Sequence, residues 1–216
     1  MKRIMSVLAL AAFAAAPAAA QLAGMPVWNS PKGGTGVTIS GDFAKNNAEA
    51  GGGSAFGARA SLGIGTLSLG AGVASWDSDS AADKITSFGA TAGFRVIGGS
   101  LLPIAINLQA GVGRTGDIKT VLDTAAVTTL TGSVGLAVSV PTPGLSIEPY
   151  LSVGIRNHKP AGGSSDSNFG WTLGANANFG MVGLHVAYDS ENRGSGVNGG
   201  SFAVGAHVAL KAPIGM

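Results

Sequence analysis

Ionisable residues recur at one set of alternate positions along segments of the chain that are otherwise apolar or small. Charged residues make up only 11% of the 216 residues, so it is informative that several of them fall on the same set of alternate positions. Carboxylate, guanidinium and imidazole groups on one face could form ion pairs, bind a metal or perform acid–base chemistry. The residues with this placement are Asp42, Arg59, Arg95, Glu148, Arg156, His185, Asp189 and His207.

The spacing around the first predicted hairpin places two of these groups together. If Phe43 and Phe56 lie opposite each other on neighbouring strands, Asp42 lies diagonal to Arg59. An unpaired charge is costly to bury. We therefore expect an ion pair between Asp42 and Arg59.

Two further pairings follow from the same parity. Arg95 and Glu148 both lie near a short connection and could meet across an interior, while His185 and His207 lie on adjacent strands as a diagonal pair. We interpret the charges as a structural network inside a barrel, with a water-filled path as the alternative. The residues assigned to this network are Asp42, Arg59, Arg95, Glu148, Arg156, His185 and His207.

Catalysis and metal binding are the weaker interpretations. Two histidines are fewer than the three protein ligands of a catalytic zinc site. The acidic segment 77–84 lacks the ligand spacing and closing glutamate of an EF-hand loop. An Asp–His pair at one rim could activate water, but no nucleophile motif accompanies it. The residues expected near this rim are Asp77, Asp79, Asp83, His158, Asp166 and Asp189. We expect no metal, no cofactor and no enzymatic activity.

The segment ASLGIGTLSLGAGVASW, residues 60–76, shows which elements position these groups. It is long enough for a membrane helix, but four of its residues are glycine, and each costs a helix about 1 kcal/mol relative to alanine. Large apolar residues alternate with small or polar ones on both sides of Gly65-Thr66. This period predicts a β-hairpin whose strands have two different faces.

Ten segments share this alternation, and their connections alternate between short and long. Uncharged bulky residues form one face, while Gly, Ser, Thr, Asn and the few charges form the other. In hydrocarbon every backbone group must be paired within the protein, so such a sheet must close. The pattern predicts an all-β, antiparallel, up-and-down transmembrane β-barrel of ten strands, with a secreted sandwich as the alternative.

The N-terminal residues have the features of a secretory signal peptide. Lys2 and Arg3 precede an apolar stretch, and Ala18-Ala19-Ala20 matches a cleavage site. We expect residues 1–20 to be a signal peptide, 21–36 a periplasmic lead-in and 37–216 the barrel domain. Without Lys2 and Arg3, 11 of the 13 basic residues remain against 11 acidic ones, which argues against a nucleic-acid partner. The chain contains no cysteine, which excludes disulfides and thiolate sites.

The signal peptide, the glycine-rich strands and the segment EPYLSVGIR together resemble small bacterial outer-membrane β-barrel proteins of the opacity and attachment-invasion kind. The resemblance extends over the whole mature chain. It implies insertion into outer-membrane lipid by the outer-membrane assembly machinery. Such barrels commonly have eight strands, which makes eight the alternative count, and commonly end on an aromatic residue, whereas LKAPIGM ends this chain.

These observations predict an integral protein of the bacterial cell outer membrane, present as a monomer. We expect a structural or surface-binding role through the long connections, with an extracellular ligand that the sequence does not identify. A narrow porin with a glycine-lined lumen is the first alternative. A hydrolase with its site at the rim is the second.

Overall fold

Ten antiparallel strands form the protein, whose computed structural model describes residues 22–27, 35–99, 102–119, 124–194 and 196–210. The predicted signal peptide (1–20) and residues 211–216 lie outside the described residues. The strands are β1 (Gly36–Asn46), β2 (Ser54–Ile64), β3 (Leu67–Asp77), β4 (Ile85–Gly99), β5 (Leu102–Thr115), β6 (Val127–Val138, continued by Val140–Thr142), β7 (Leu145–Pro160), β8 (Asp166–Phe179), β9 (Val182–Asn192) and β10 (Asn198–Leu210).

The sheet closes on itself. Each strand pairs with its neighbours in the sequence, and β1 pairs with β10 from Val37↔Leu210 to Asn46↔Ser201. No edge is therefore left between the first and last strands. The predicted fold class and the count of ten strands are confirmed, and the alternative count of eight is wrong.

The two ends of the barrel differ, as the connection lengths predict. Short connections join β2 to β3, β4 to β5, β6 to β7 and β8 to β9, and we call this side the turn end. Gly65, Gly144 and Gly180 in these turns have φ values of 62°, 75° and 66°, which glycine adopts without the strain of a Cβ. The longer connections lie at the opposite side, the loop end. They include a two-stranded hairpin (Ile118–Lys119 with Thr124–Ala125) and a 3₁₀ turn (Ala48–Ala50).

Bulky apolar side chains cover the outside of the barrel, and polar side chains fill the inside. Every strand exposes at least one large hydrophobic residue, represented in chain order by Ile39, Phe56, Val73, Phe88, Leu108, Leu130, Ile155, Leu173, Leu184 and Val204. Buried positions instead include charged residues such as Asp42, Glu148 and Arg156. This distribution is the reverse of a water-soluble fold and is typical of a membrane β-barrel. No helix among the described residues is long and apolar enough to cross a membrane.

Residues 22–27, which we call the N-terminal segment, lie inside the barrel near the loop end. Leu22, Met25 and Val27 are buried, and Met25 is only 1% exposed. The chain is described again from Thr35 at the turn end. The domain bounds, with 21–36 as a periplasmic lead-in, stay a prediction, and within them the structure places 22–27 inside the barrel. The sequence reasoning treated every residue before the first alternating strand as external to the barrel.

Candidate functional site in the lumen

The predicted ion pair between Asp42 and Arg59 is present. Phe43 and Phe56 are cross-strand partners with ring centroids 5.0 Å apart. The Arg59 Nε donates to Asp42 Oδ2 at 2.7 Å, and Nη2 donates to Oδ1 at 3.1 Å. The Asp42 side chain is fully buried, so this two-point contact compensates for the lost hydration of its charge.

The two histidines extend this pair across β9 and β10. His185 Nε2 contacts Asp42 Oδ1 at 2.5 Å, and the Nδ1 atoms of His185 and His207 are 3.1 Å apart. The imidazole rings are stacked, with centroids 5.3 Å apart. His207 Nε2 then contacts Asn178 Oδ1 at 2.9 Å. The predicted pairing of His185 with His207 is therefore present, and the contacts form a continuous polar chain from Arg59 to Asn178.

Hydrogen-bond direction along this chain is constrained. An ionised Asp42 can only accept, so His185 donates from Nε2. With the amide of Asn178 in its assigned orientation, His207 donates from Nε2 to the Oδ1 atom. The contact between the two Nδ1 atoms is a hydrogen bond when one of the two rings donates from Nδ1. The chain contains two imidazoles and one carboxylate.

A second network surrounds Arg156 nearer the loop end, on β7, β8 and β9. Its guanidinium donates to Asp189 from Nη1 at 2.6 Å and from Nη2 at 2.7 Å, and Nη1 lies 3.5 Å from Glu191 Oε2. The Thr172 hydroxyl also donates to Asp189, at 2.5 Å. The Arg156, Asp189 and Glu191 side chains are at most 5% exposed. Removing the arginine would leave the buried Asp189 carboxylate without its cation.

His158 continues the second network toward the loop end. Its Nε2 lies 2.6 Å from Glu191 Oε1, and its Nδ1 lies 3.0 Å from the Thr129 hydroxyl. Asn168 also donates to Glu191 Oε1, at 2.8 Å. Hydroxyl, imidazole and carboxylate are thus in contact, but Glu191 is also bound by Arg156 and Asn168. Glu191 on β9 is thus linked to His158 and Arg156 on β7 and to Asn168 on β8.

Glu191 and Asn168 are members of this network that sequence reasoning missed. The segment from Ser190 to Gly200 has the polar, glycine-rich composition of a long connection, whereas β9 continues to Asn192 and β10 begins at Asn198. Alternate residues of a strand share a face, so Glu191, two residues after Asp189, could have been assigned to the inward face. Polar loop-like composition concealed the end of the strand.

Of the remaining predicted residues, Glu148 lines a cavity at the turn end. This cavity has a volume of about 740 Å³ and is lined mostly by small and polar residues. Glu148 is buried on its wall, and Arg59, Gln109, Tyr150 and His185 line its inner part. Arg95 donates to the Gly65 carbonyl at 3.0 Å. A direct pairing of Arg95 with Glu148 stays a prediction.

Metal binding finds no further support among the described residues. They contain no group of three or more His, Cys, Asp or Glu side chains arranged to hold a metal ion. The geometry of the two networks is one of ion pairs and hydrogen bonds between buried side chains.

Sequence comparison does not place the chain in a known group. No protein-family model matches it, and no curated protein matches it.

Solved structures are similar to the fold. The β domain of the Bordetella autotransporter BrkA matches with a TM-score of 0.50 and 13% identity over 83% of this chain and 100% of that domain. A bacterial polysaccharide outer-membrane secretin matches with a TM-score of 0.48 and 9% identity over 74% of this chain, which spans 57% of its length. The outer-membrane enzyme PagL matches with a TM-score of 0.43 and 11% identity over 80% of this chain and 99% of that chain.

The likeness to the BrkA domain shows a shared barrel fold and nothing finer. The sheet is closed, its exterior is apolar and its interior contains ion pairs. The chain therefore has the architecture of a ten-stranded β-barrel with a membrane-type surface.

Proposed function

We propose that the chain is an integral protein of a bacterial outer membrane, whose barrel has a closed lumen and serves as an anchor. Its activity resides in the connections at the loop end, which bind an extracellular ligand or partner. The bulky apolar exterior supports membrane insertion. In bacterial barrels with one short-turn rim and one long-loop rim, the long loops face outside the cell.

The main support for an anchor rather than a pore is that side chains and the N-terminal segment fill the half of the lumen nearer the loop end. Arg156, Asp189 and Glu191 occupy one side of the interior, and the N-terminal segment occupies the other. A solute entering the cavity from the turn end would meet these buried groups before reaching the loop end. A non-enzymatic role agrees with the interlocked contacts of His158 and Glu191.

Two measurements test the proposal. The absence of native cysteine permits single-cysteine labelling, with Ser165→Cys at the loop end and Thr66→Cys at the turn end. In intact cells, a membrane-impermeant maleimide should label the first variant, and it should label the second only after the outer membrane is permeabilised. The reverse labelling order would contradict the proposed orientation.

The closed lumen is tested by reconstituting the wild-type protein into planar lipid bilayers. The proposal predicts insertion without stable single-channel current. A regular ohmic current would instead favour the second candidate, a narrow porin. The specific observation that favours this alternative is the polar cavity of about 740 Å³ at the turn end.

A further inference from the structure

The loop half of the lumen is divided into two sides that are filled in different ways. On the side of β6 to β9, long polar side chains meet, with Arg156 paired to Asp189 at the centre. On the side of β10 and β1 to β4, the inward residues beside the N-terminal segment are mostly small. These are Ala44, Ala55, Gly57, Gly72, Ala74, Ser87 and Ala203, which we call the small-residue wall.

The N-terminal segment fills the space that the wall leaves open. Leu22 and Met25 form one buried cluster with four alanines of the wall, and Trp76 packs against this cluster. A Cβ on Gly57 would lie 3.1 Å from the Met25 methyl group, and a Cβ on Gly72 would lie 3.1 Å from Leu22. A side chain at Gly57 would therefore press on Met25, and one at Gly72 would meet Arg59 Cγ at 2.8 Å as well as Leu22.

Polar contacts fix the segment in one position along the wall. The Ala23 backbone N–H donates to Ser87 Oγ at 2.9 Å, and the Asn46 amide donates to the Gly24 carbonyl at 3.0 Å. Gly24 has a φ of 72°, and a Cβ there would lie 2.5 Å from the Trp76 ring. Position 24 of the segment thus requires glycine for two reasons, namely its backbone conformation and the close approach of the Trp76 indole.

These contacts are those of a bound peptide rather than of a strand in the sheet. The segment makes no ladder pairing with any barrel strand, because every described strand-to-strand register is accounted for by the closed ring. Its removal would not open the sheet. It would connect the loop half of the lumen with the cavity at the turn end, whose inner wall includes Arg59.

We propose that the small-residue wall and Trp76 form a peptide-binding cleft inside the barrel, and that residues 22–27 are its intramolecular, releasable ligand. While bound, the segment closes one side of the lumen. When it leaves, a water-filled path joins the two ends. The inference rests on the proposed membrane barrel with a closed resting lumen, and it adds that this closure is reversible.

The experiment uses the full mature chain with a segment that cannot occupy the cleft. In the variant Leu22→Asp/Met25→Asp, two carboxylates replace the buried apolar anchors. The matched control is Met181→Asp, because Met181 is 63% exposed in a short turn. Both are made with Trp28→Phe and Trp171→Phe, so that Trp76 is the only indole and reports on the cleft.

The expected result is a folded barrel with altered cleft and conductance. Relative to the control, Trp76 emission shifts to longer wavelengths, and planar bilayers show a stable current that the control lacks. An end-blocked synthetic peptide of sequence LAGMPV reverses both effects. The same peptide with valine in place of its glycine does not, because the indole leaves no room for a side chain.

Two outcomes would overturn the cleft. One is a folded Leu22→Asp/Met25→Asp variant with unchanged Trp76 emission and no current. The other is an equal effect of the two peptides, or none from either. If the double variant does not fold, Gly24→Val displaces the segment by steric contact and takes its place. Stable current through the wild-type protein would contradict the closed anchor proposed above. The comparison of the two peptides tests the peptide-binding cleft independently of that result.

Discussion

Arg156 and Asp189 form a two-point ion pair inside the barrel, with N–O distances of 2.6 and 2.7 Å and both side chains 5% exposed. The pair joins β7 to β9 across β8, and Thr172 of β8 donates to the same carboxylate. It therefore links three consecutive strands through side chains alone. Such a pair is expensive to break, because each partner is buried with a full charge.

Arg156→Ala should lower the free energy of unfolding by about 3–5 kcal/mol, since it leaves the buried Asp189 carboxylate without its cation. Denaturant unfolding in lipid vesicles, followed by gel mobility without boiling, measures this loss. Arg114→Ala is the matched control, because Arg114 is exposed and donates to the Thr128 hydroxyl at 3.3 Å. The control should change stability by less than about 0.5 kcal/mol. Equal effects of the two substitutions would contradict the buried network.

The loss should also depend on the partner. In a double-mutant cycle, Arg156→Ala combined with Asp189→Asn should cost less than the sum of the single substitutions, because the second change removes the charge that the first leaves unpaired. Additive losses would show that the two groups do not interact in the membrane-embedded protein.

Gly205→Ala should destabilise the barrel through crowding of the first polar chain. A Cβ at Gly205 would collide with His185 and Asp42, and overpacking of this kind costs about 1–3 kcal/mol. The control is Gly41→Ala on the neighbouring strand, where no atom lies within 4 Å of the added carbon. That substitution should leave stability unchanged or raise it by up to about 1 kcal/mol, because alanine is less flexible than glycine in the unfolded chain. The measurement is the unfolding midpoint of each variant in the same lipid. Equal midpoints for Gly205→Ala and Gly41→Ala would contradict the crowding.

A charge on the apolar exterior should be costly only where the surface meets hydrocarbon. Leu173 is 53% exposed in the middle of β8, and Val197 is 41% exposed in the connection before β10. Leu173→Arg should destabilise the reconstituted protein by about 2–4 kcal/mol. Val197→Arg, which introduces the same charge at a similarly exposed residue, should be nearly neutral in the same vesicles. Tolerance of Leu173→Arg would argue that water surrounds this face.

The sequence was sufficient to predict the ten strands and the pairings of Asp42 with Arg59 and of His185 with His207. Each depends on a period of two residues, which a strand with one lipid-facing side must keep along its whole length. Once the Phe43–Phe56 pairing was fixed, the diagonal neighbours followed from sheet geometry. The alternation of residues along each strand is therefore enough to predict the fold and part of the interior network.

Residues 22–27 could not be assigned in this way, because they make no ladder contacts and show no alternation. Their position depends on the shape of a surface built from five strands. A detectable signal was present on those strands. Small inward residues, among them Ala44, Ala55 and Ala203, lie close together at the loop end, where the opposite side of the lumen carries long side chains. A packed interior requires something to fill the space beside them.

The central claim is that the apolar exterior contacts lipid while the interior is shielded from it, and two native tryptophans test it directly. Trp171 lies on the outward face of β8, beside the exposed Tyr188 ring at 5.6 Å, whereas Trp76 points inward and packs on the N-terminal segment. Two variants, each with Trp28→Phe, retain one of these indoles and are reconstituted with lipids brominated along the acyl chain. The account predicts strong quenching of Trp171 and little quenching of Trp76. Quenching of Trp76 equal to or stronger than that of Trp171 would contradict it.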